Sequence, residues 1–249
     1  MKTLGIVGGI GPESTVEYYR LLIAGYRERV SDGSYPPLLI ASIDVKKLLA
    51  LVAQGKLLEL VEYLLGSLRQ LERAGADFAI LAGNTPHIVF DEVESRSPLP
   101  LSSILQASCN FARAQRLKRL GLFGTCSTMQ AGFYQKIFGR AGIAVTIPES
   151  EEQDYIHEKY VSELVNGVFL AETRQRLFGI ANTLKQRHNI DGLILGGTEL
   201  PLILRDGSGV CVPLLDTTRI HVNAALERLL SWRPVRGWDR STFANDCFA

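Results

Sequence analysis

Hydroxyl and amide side chains gather in four short stretches of this sequence, each opening on glycine: Gly8 to Thr15, Gly83 to His87, Gly124 to Thr128 and Gly196 to Glu199. Together they offer Ser14, Thr15, Asn84, Thr85, Thr125, Ser127, Thr128 and Thr198, several of them where a helix begins. Neutral donors of this kind, joined by backbone N–H groups at helix N-termini, are what binding a small carboxylate requires. A single serine or threonine in such a place is ordinarily an N-cap and nothing more. Four such loops aimed at one cleft argue for a site, because ligands of open parallel sheets lie outside the carboxyl ends of the strands. Phosphate chemistry fits less well. Gly8-Gly9-Ile10-Gly11-Pro12 runs into Pro12-Glu13-Ser14 where a dinucleotide fingerprint needs another glycine, and the stretch has no Gly-Lys-Ser/Thr.

Holding these loops in place takes strands that end where the loops start. Short β-rich apolar runs at Thr3 to Val7, Leu38 to Ile43, Phe78 to Leu81, Leu120 to Phe123, Ala144 to Ile147, Gly192 to Leu195 and Val212 to Leu215 read as strands. Segments of helical period lie between or after them: Ser14 to Val30, Leu57 to Ala74, Ile104 to Leu117, Ala131 to Ala141, Asp154 to Asn166, Ala171 to His188 and Thr217 to Leu230. That alternation predicts βαβ units and parallel sheets covered by helices.

The pattern also repeats. Leu4-Gly5-Ile6-Val7-Gly8 matches Leu120-Gly121-Leu122-Phe123-Gly124 at an offset of 116 residues, which lays Tyr18 on Tyr134. Asp77-Phe78-Ala79-Ile80-Leu81-Ala82-Gly83 matches Asp191-Gly192-Leu193-Ile194-Leu195-Gly196-Gly197 at an offset of 114, with a polar cluster after each. So long a period is no solenoid; it predicts an α/β fold of two similar lobes, each a parallel sheet flanked by helices, related by a pseudo-twofold with a cleft between them. The expected division is residues 1–100 plus 210–232 in lobe one, 101–209 in lobe two and 233–249 as a C-terminal tail. Gly83 and Gly197 are expected on opposite walls of the cleft.

Composition narrows the function classes. With 249 residues, 46% hydrophobic and 21% charged, the chain can build a substantial core and disorder is not the default. Lys and Arg number 27 against 26 for Asp and Glu, which gives no broad electrostatic reason to bind nucleic acid. The apolar run at the start is too brief for a signal sequence or a membrane span, so a cytoplasmic location is expected. Cys109, Cys126, Cys211 and Cys247 lack the close pairing of zinc or thioredoxin-like sites and read as reduced thiols; no metal is expected.

The opening Met1-Lys2-Thr3-Leu4-Gly5-Ile6-Val7-Gly8-Gly9-Ile10-Gly11-Pro12-Glu13-Ser14-Thr15, then Gly83-Asn84-Thr85-Pro86-His87, Gly197-Thr198-Glu199 and Asp216-Thr217-Thr218-Arg219-Ile220-His221, resemble the aspartate/glutamate racemase family over nearly the whole chain. The resemblance implies a cofactor-free isomerase that inverts an amino acid at Cα, one cysteine on each lobe removing or returning the α-proton from opposite faces. The family writes these cysteines in Cys-Asn-Thr and Gly-Cys-Thr-Glu. Here Gly83 stands at the first position and Gly197 at the second, and glycine cannot carry a proton.

Stand-ins near the vacated positions are Glu199, His87 and Cys126, with Glu13 and Asp44 following strands of the first lobe. Each also has an ordinary reading: a first-turn carboxylate for Glu199 and Glu13, a hydrogen-bonded structural histidine, a small buried cysteine, a turn cap for Asp44. Aspartate-specific members place one basic residue after the second strand and another in the helix after the sixth. Here Lys46 or Lys47 serves the first only if the loop shifts, and Val165 takes the second. The Ser42-Ile43-Asp44-Val45 stretch is more similar to the broad-specificity amino-acid racemase branch.

The expected ligand is therefore a small carboxylate or amino acid, held by Gly9, Ile10, Asn84, Thr85, Thr125, Thr128 and Thr198. The expected activity is of amino-acid racemase type, with a catalytically silent binding protein, or a decarboxylase or cis–trans isomerase on the same fold, as rivals. A homodimer is expected from the family and from the aromatic tail around Trp232 and Trp238. If the cleft keeps its family geometry, cysteine restored at both Gly83 and Gly197 is expected to create or greatly raise racemisation.

Overall fold

Short apolar strands, most with glycine or a polar residue at their carboxyl ends, assemble, in the computed structural model, into two four-stranded parallel sheets; residues 2–204 and 209–231 are described. The first contains β1 (Leu4–Gly8), β2 (Leu38–Ser42), β3 (Phe78–Leu81) and β4 (Leu101–Ser102), in the order β2-β1-β3-β4. The second contains β5 (Arg119–Phe123), β6 (Ala144–Thr146), β7 (Gly192–Leu195) and β8 (Leu214–Asp216), in the order β6-β5-β7-β8. Every pairing is parallel. The central strands β1, β3 and β7 are buried along their whole length, which is why they read as continuous apolar runs rather than alternating ones.

The repeat extends to individual hydrogen bonds. Asp77 accepts the Thr3 N–H at 2.6 Å, and Asp191 accepts those of Lys118 and Arg119 at 2.8 and 2.9 Å, so the matched aspartates secure the start of the matched strands. At the other end Ala82 N–H donates to Val7 at 2.9 Å and Gly196 N–H to Phe123 at 2.7 Å. Sequence matching and backbone pairing thus place the loops after β3 and β7 at equivalent ends of equivalent sheets.

Helices α1 (Pro12–Arg29), α2 (Val45–Ala53), α3 (Leu57–Arg73), α4 (Phe90–Arg96) and α5 (Ile104–Ala114) lie in the first half, with a 3-10 turn at Thr85–Val89. The second half holds α6 (Cys126–Gln130), α7 (Phe133–Arg140), α8 (Ser150–Ser162), α9 (Ala171–His188), α10 (Leu200–Ile203) and α11 (Thr217–Leu230). The apolar period alone does not reveal α2, α4, α6 or α10, because they are short. At α2 the turn cap expected of Asp44 is an N-cap, its carboxylate accepting Lys46 N–H at 2.8 Å and Lys47 N–H at 3.4 Å.

The expected exchange at 101 and 210 falls differently along the strands. β4 closes the first sheet and β8 the second, so what crosses between the halves is helical. From α5, Ile104, Leu105, Cys109 and Ala112 enter the core around β5 and β7, while Val222, Ala225, Leu226 and Leu229 of α11 pack with Leu4, Ile6, Tyr18 and Leu22. Each sheet therefore lends its last helix to the other core, which ties the lobes together through buried apolar area. The tail expected from 233 onward, with Trp238, lies outside the described residues, as does Trp232 before it.

Candidate functional site

The carboxyl ends of the two sheets meet, and polar side chains join them. Ser14, in the first turn of α1, shares a hydrogen bond with the hydroxyl of Thr198, beyond β7. Asn84, beyond β3, accepts from the Tyr134 phenol of α7 at 2.7 Å and faces Thr217 at 3.5 Å; Thr217 in turn donates to the Leu195 carbonyl at 2.8 Å. Thr125 caps α6 by accepting the Thr128 N–H at 3.3 Å, and Gly9 N–H donates to Thr15 at 2.8 Å. Asn84, Thr128, Thr198, Ser14 and Glu199 are buried, whereas Thr85 and Thr125 are half-buried. Beside Thr198 a cavity of about 330 Å³ opens, bordered by Glu17, Leu195, Asp216, Thr218 and Arg219. Burial pushes the Asp216 carboxyl up, opposed by the hydrogen bond and charge of Arg219.

The space beside the two glycines is already taken. A Cβ built on Gly83 would stand 2.9 Å from Cγ2 and 3.3 Å from Cβ of Ile10. One built on Gly197 would stand 2.5 Å from Tyr160 Cε2 and 2.8 Å from its phenol oxygen. Tyr160 reaches over from α8, is buried, and donates to Glu199, which also accepts from Thr198 at 2.7 Å. This geometry bears on the expectation that two restored cysteines give racemisation: a Cβ at Gly83 would press on the half-buried Ile10, and one at Gly197 on the buried Tyr160. Ile10 likewise has a packing role over Gly83 in addition to any contact its backbone makes with a ligand.

Two of the three candidate stand-ins are committed elsewhere. Ile104 N–H donates to His87 Nε2 at 3.3 Å, so Nδ1 carries the proton and gives it to the Gly83 carbonyl at 3.0 Å. Burial, and then the neighbouring His221, pushes His87 down to about 3, and a neutral ring with both nitrogens engaged is no acid or base at neutral pH. Cys126 begins a five-residue helix with its sulfur 4.0 Å from the Gln153 carbonyl; burial, and then Asp154, raises its thiol, the opposite of an activated nucleophile. Glu199 alone stays in position, next to the vacated second site. Of the lysines considered for an acidic substrate, Lys47 has its Nζ 4.3 Å above the Tyr63 ring, and Val165, where the second basic residue would stand, is exposed.

His221 mirrors His87. Its Nε2 donates to the Ser102 carbonyl at 2.9 Å and its Nδ1 accepts from Tyr18 at 3.0 Å, and burial pushes it down to about 4. Proton-detected NMR is expected to find neither His87 nor His221 titrating between pH 5 and 8. Both pKa values lie below the unfolded value, so both histidines favour folding above about pH 6.5. That contribution is lost as pH falls towards 4 and then 3, and denaturant midpoints should drop along the same interval.

Among the described residues no group of three or more His, Cys, Asp or Glu is arranged to hold a metal ion, and no helix is long and apolar enough to cross a membrane. The model of the Asp/Glu/hydantoin racemase family matches residues 7–225. The chain belongs to that family. Broad specificity amino-acid racemase RacX of Bacillus subtilis (strain 168) is 22% identical, over 92% of this chain and 99% of its own length. A Yersinia pestis protein provisionally assigned as an Asp/Glu racemase superimposes with a TM-score of 0.85 at 29% identity, covering 92% of this chain and all of that one. An aspartate racemase homologue from Pyrococcus horikoshii OT3 gives 0.80 at 33% identity, covering 92% and 99%.

Tyr160 is the site residue that sequence reasoning misses. It lies within the expected helix from 154 to 166 with no motif around it, and only the approach of α8 to the loop after β7 discloses it. Tyr134 carried a signal, its match to Tyr18 in the repeat.

Proposed function

We propose that this member of the racemase family binds a small carboxylate, an amino acid in the first instance, between its lobes and does not racemise it. The observation that carries this reading is the filling of both thiol volumes, by Ile10 at Gly83 and by the Tyr160 ring at Gly197. Inversion needs a proton carrier on each face of a planar carbanion, and an aliphatic side chain supplies none. The residues that would hold the ligand follow strand ends: Asn84 and Thr85 after β3, Thr125 and Thr128 after β5, Thr198 after β7, and Gly9 and Ile10 after β1. A homodimer in the cytoplasm is part of the same reading, and sedimentation of a monomer at micromolar concentration would count against the dimer.

Calorimetric titration with the L- and D-forms of alanine, serine, lysine, aspartate and glutamate tests the reading. Saturable heat with at least one amino acid is expected, and chiral chromatography of the incubated ligand should find no second enantiomer accumulating. Rapid interconversion by the native protein would refute it.

A further inference from the structure

We propose that Tyr160 is an acid–base residue on the second-lobe face of the site, passing a proton between the α-carbon of a bound carboxylate and Glu199, so that the protein exchanges that proton from one face only. The inference rests on the reading that the cleft binds an amino acid.

A cysteine at Gly197 would carry its sulfur one bond beyond the built Cβ, and the Tyr160 oxygen lies 2.8 Å from that Cβ. The phenol therefore fills the region a family thiol would use. Its O–H points at Glu199, on the carboxylate oxygen that also receives the Thr198 proton. Because the Thr198 proton is engaged there, Ser14 must donate to Thr198, and the chain Ser14, Thr198, Glu199, Tyr160 has a single consistent direction. Every hydroxyl in it points towards the Glu199 carboxylate. Burial, and then the charge of Glu199, holds the Tyr160 phenol well above its ordinary value, so it stays protonated and serves as a relay rather than a standing phenolate. At Gly83, the other vacated position, the atoms nearest a built Cβ all belong to Ile10.

The step balances without any co-reactant. The Cα–H bond breaks and its proton joins the Tyr160 oxygen, while the phenol O–H breaks and its proton joins Glu199. The electron pair stays on the substrate as a carbanion delocalised into its carboxylate. Reversal returns the proton then on the Tyr160 oxygen, or a deuteron once that phenol has exchanged with solvent while the carbanion persists, to the same face. Tyr160 is the residue that touches the reacting atom, and Glu199 acts through it.

Incubation in heavy water with the same five amino acids, followed by mass spectrometry and chiral separation, tests this. Deuterium is expected at Cα of one enantiomer of a bound amino acid, with retention of configuration. Tyr160→Phe and Glu199→Gln should each slow that exchange by about 10²–10⁴-fold while calorimetry finds the Kd unchanged, and Glu199→Asp should recover part of the rate. A purely structural role for Glu199 would give no such split between rate and affinity. Binding without exchange, exchange into both enantiomers, or full exchange in Tyr160→Phe would overturn the inference and leave the binding reading intact. Absence of binding by every amino acid would overturn both.

Discussion

The double variant Gly83→Cys/Gly197→Cys is expected to fold less stably than the native protein and to remain without racemase activity. Neither glycine has a positive φ, so the backbone tolerates a side chain at both positions. The obstacle is volume. Ile10 is branched at the atom 3.3 Å from the new Cβ and packs, partly buried, against the first-lobe core, and Tyr160 can move only by leaving Glu199 with one partner fewer. Overpacking of this kind costs about 1–3 kcal/mol at each site. Adding Ile10→Ala and Tyr160→Ala should restore the room, and the four-residue variant should gain racemisation by about 10²–10⁴-fold for each thiol that reaches its face of Cα. Circular dichroism for folding and a polarimetric assay for inversion distinguish the cases. A folded double variant that racemises would mean the two side chains yield more easily than their packing implies. A folded four-residue variant with no activity would mean that the orienting groups, and not only the thiols, differ from those of active relatives.

His221→Ala is expected to be the most damaging single substitution away from the ligand. The ring is fully buried, joins α11 to α1 through the Tyr18 phenol and to β4 through the Ser102 carbonyl, and lies edge-on to Tyr18 with centroids 5.8 Å apart. Its removal opens a cavity and leaves a buried phenol and a carbonyl without partners, a loss of about 3–5 kcal/mol. For a chain of this size that lowers the melting temperature by roughly 10 °C. Tyr18→Phe should cost less in the His221→Ala background than in the native one, because the phenol proton has already lost its acceptor. Equal costs in both backgrounds would show that the hydrogen bond contributes nothing to holding α11 on the first lobe.

Most of the fold was legible because period and punctuation agree. Seven of the strands are short apolar runs, all but β3 ended directly by glycine or a polar residue, and the match of Asp77 to Asp191 carried the duplication down to the strand-initiating hydrogen bonds. β4 was not legible, since two residues have no period, nor was the crossing of α5 and α11, since an apolar helix face does not say which core it enters.

The sequence by itself determined that two parallel-sheet lobes present hydroxyl and amide loops to one another, and that both expected proton carriers are missing. Those are properties of residue type and spacing along the chain. Only the tertiary structure decided what occupies the vacated places. Ile10 lies 73 residues from Gly83 and Tyr160 lies 37 from Gly197. Whether a glycine faces solvent, an aliphatic branch or a phenol depends on how the helices and loops around it pack. The same packing sets the two histidines apart from catalysis: a neutral ring fixed at both nitrogens results from burial and from the carbonyls and amides around it, which the order of residues does not encode locally.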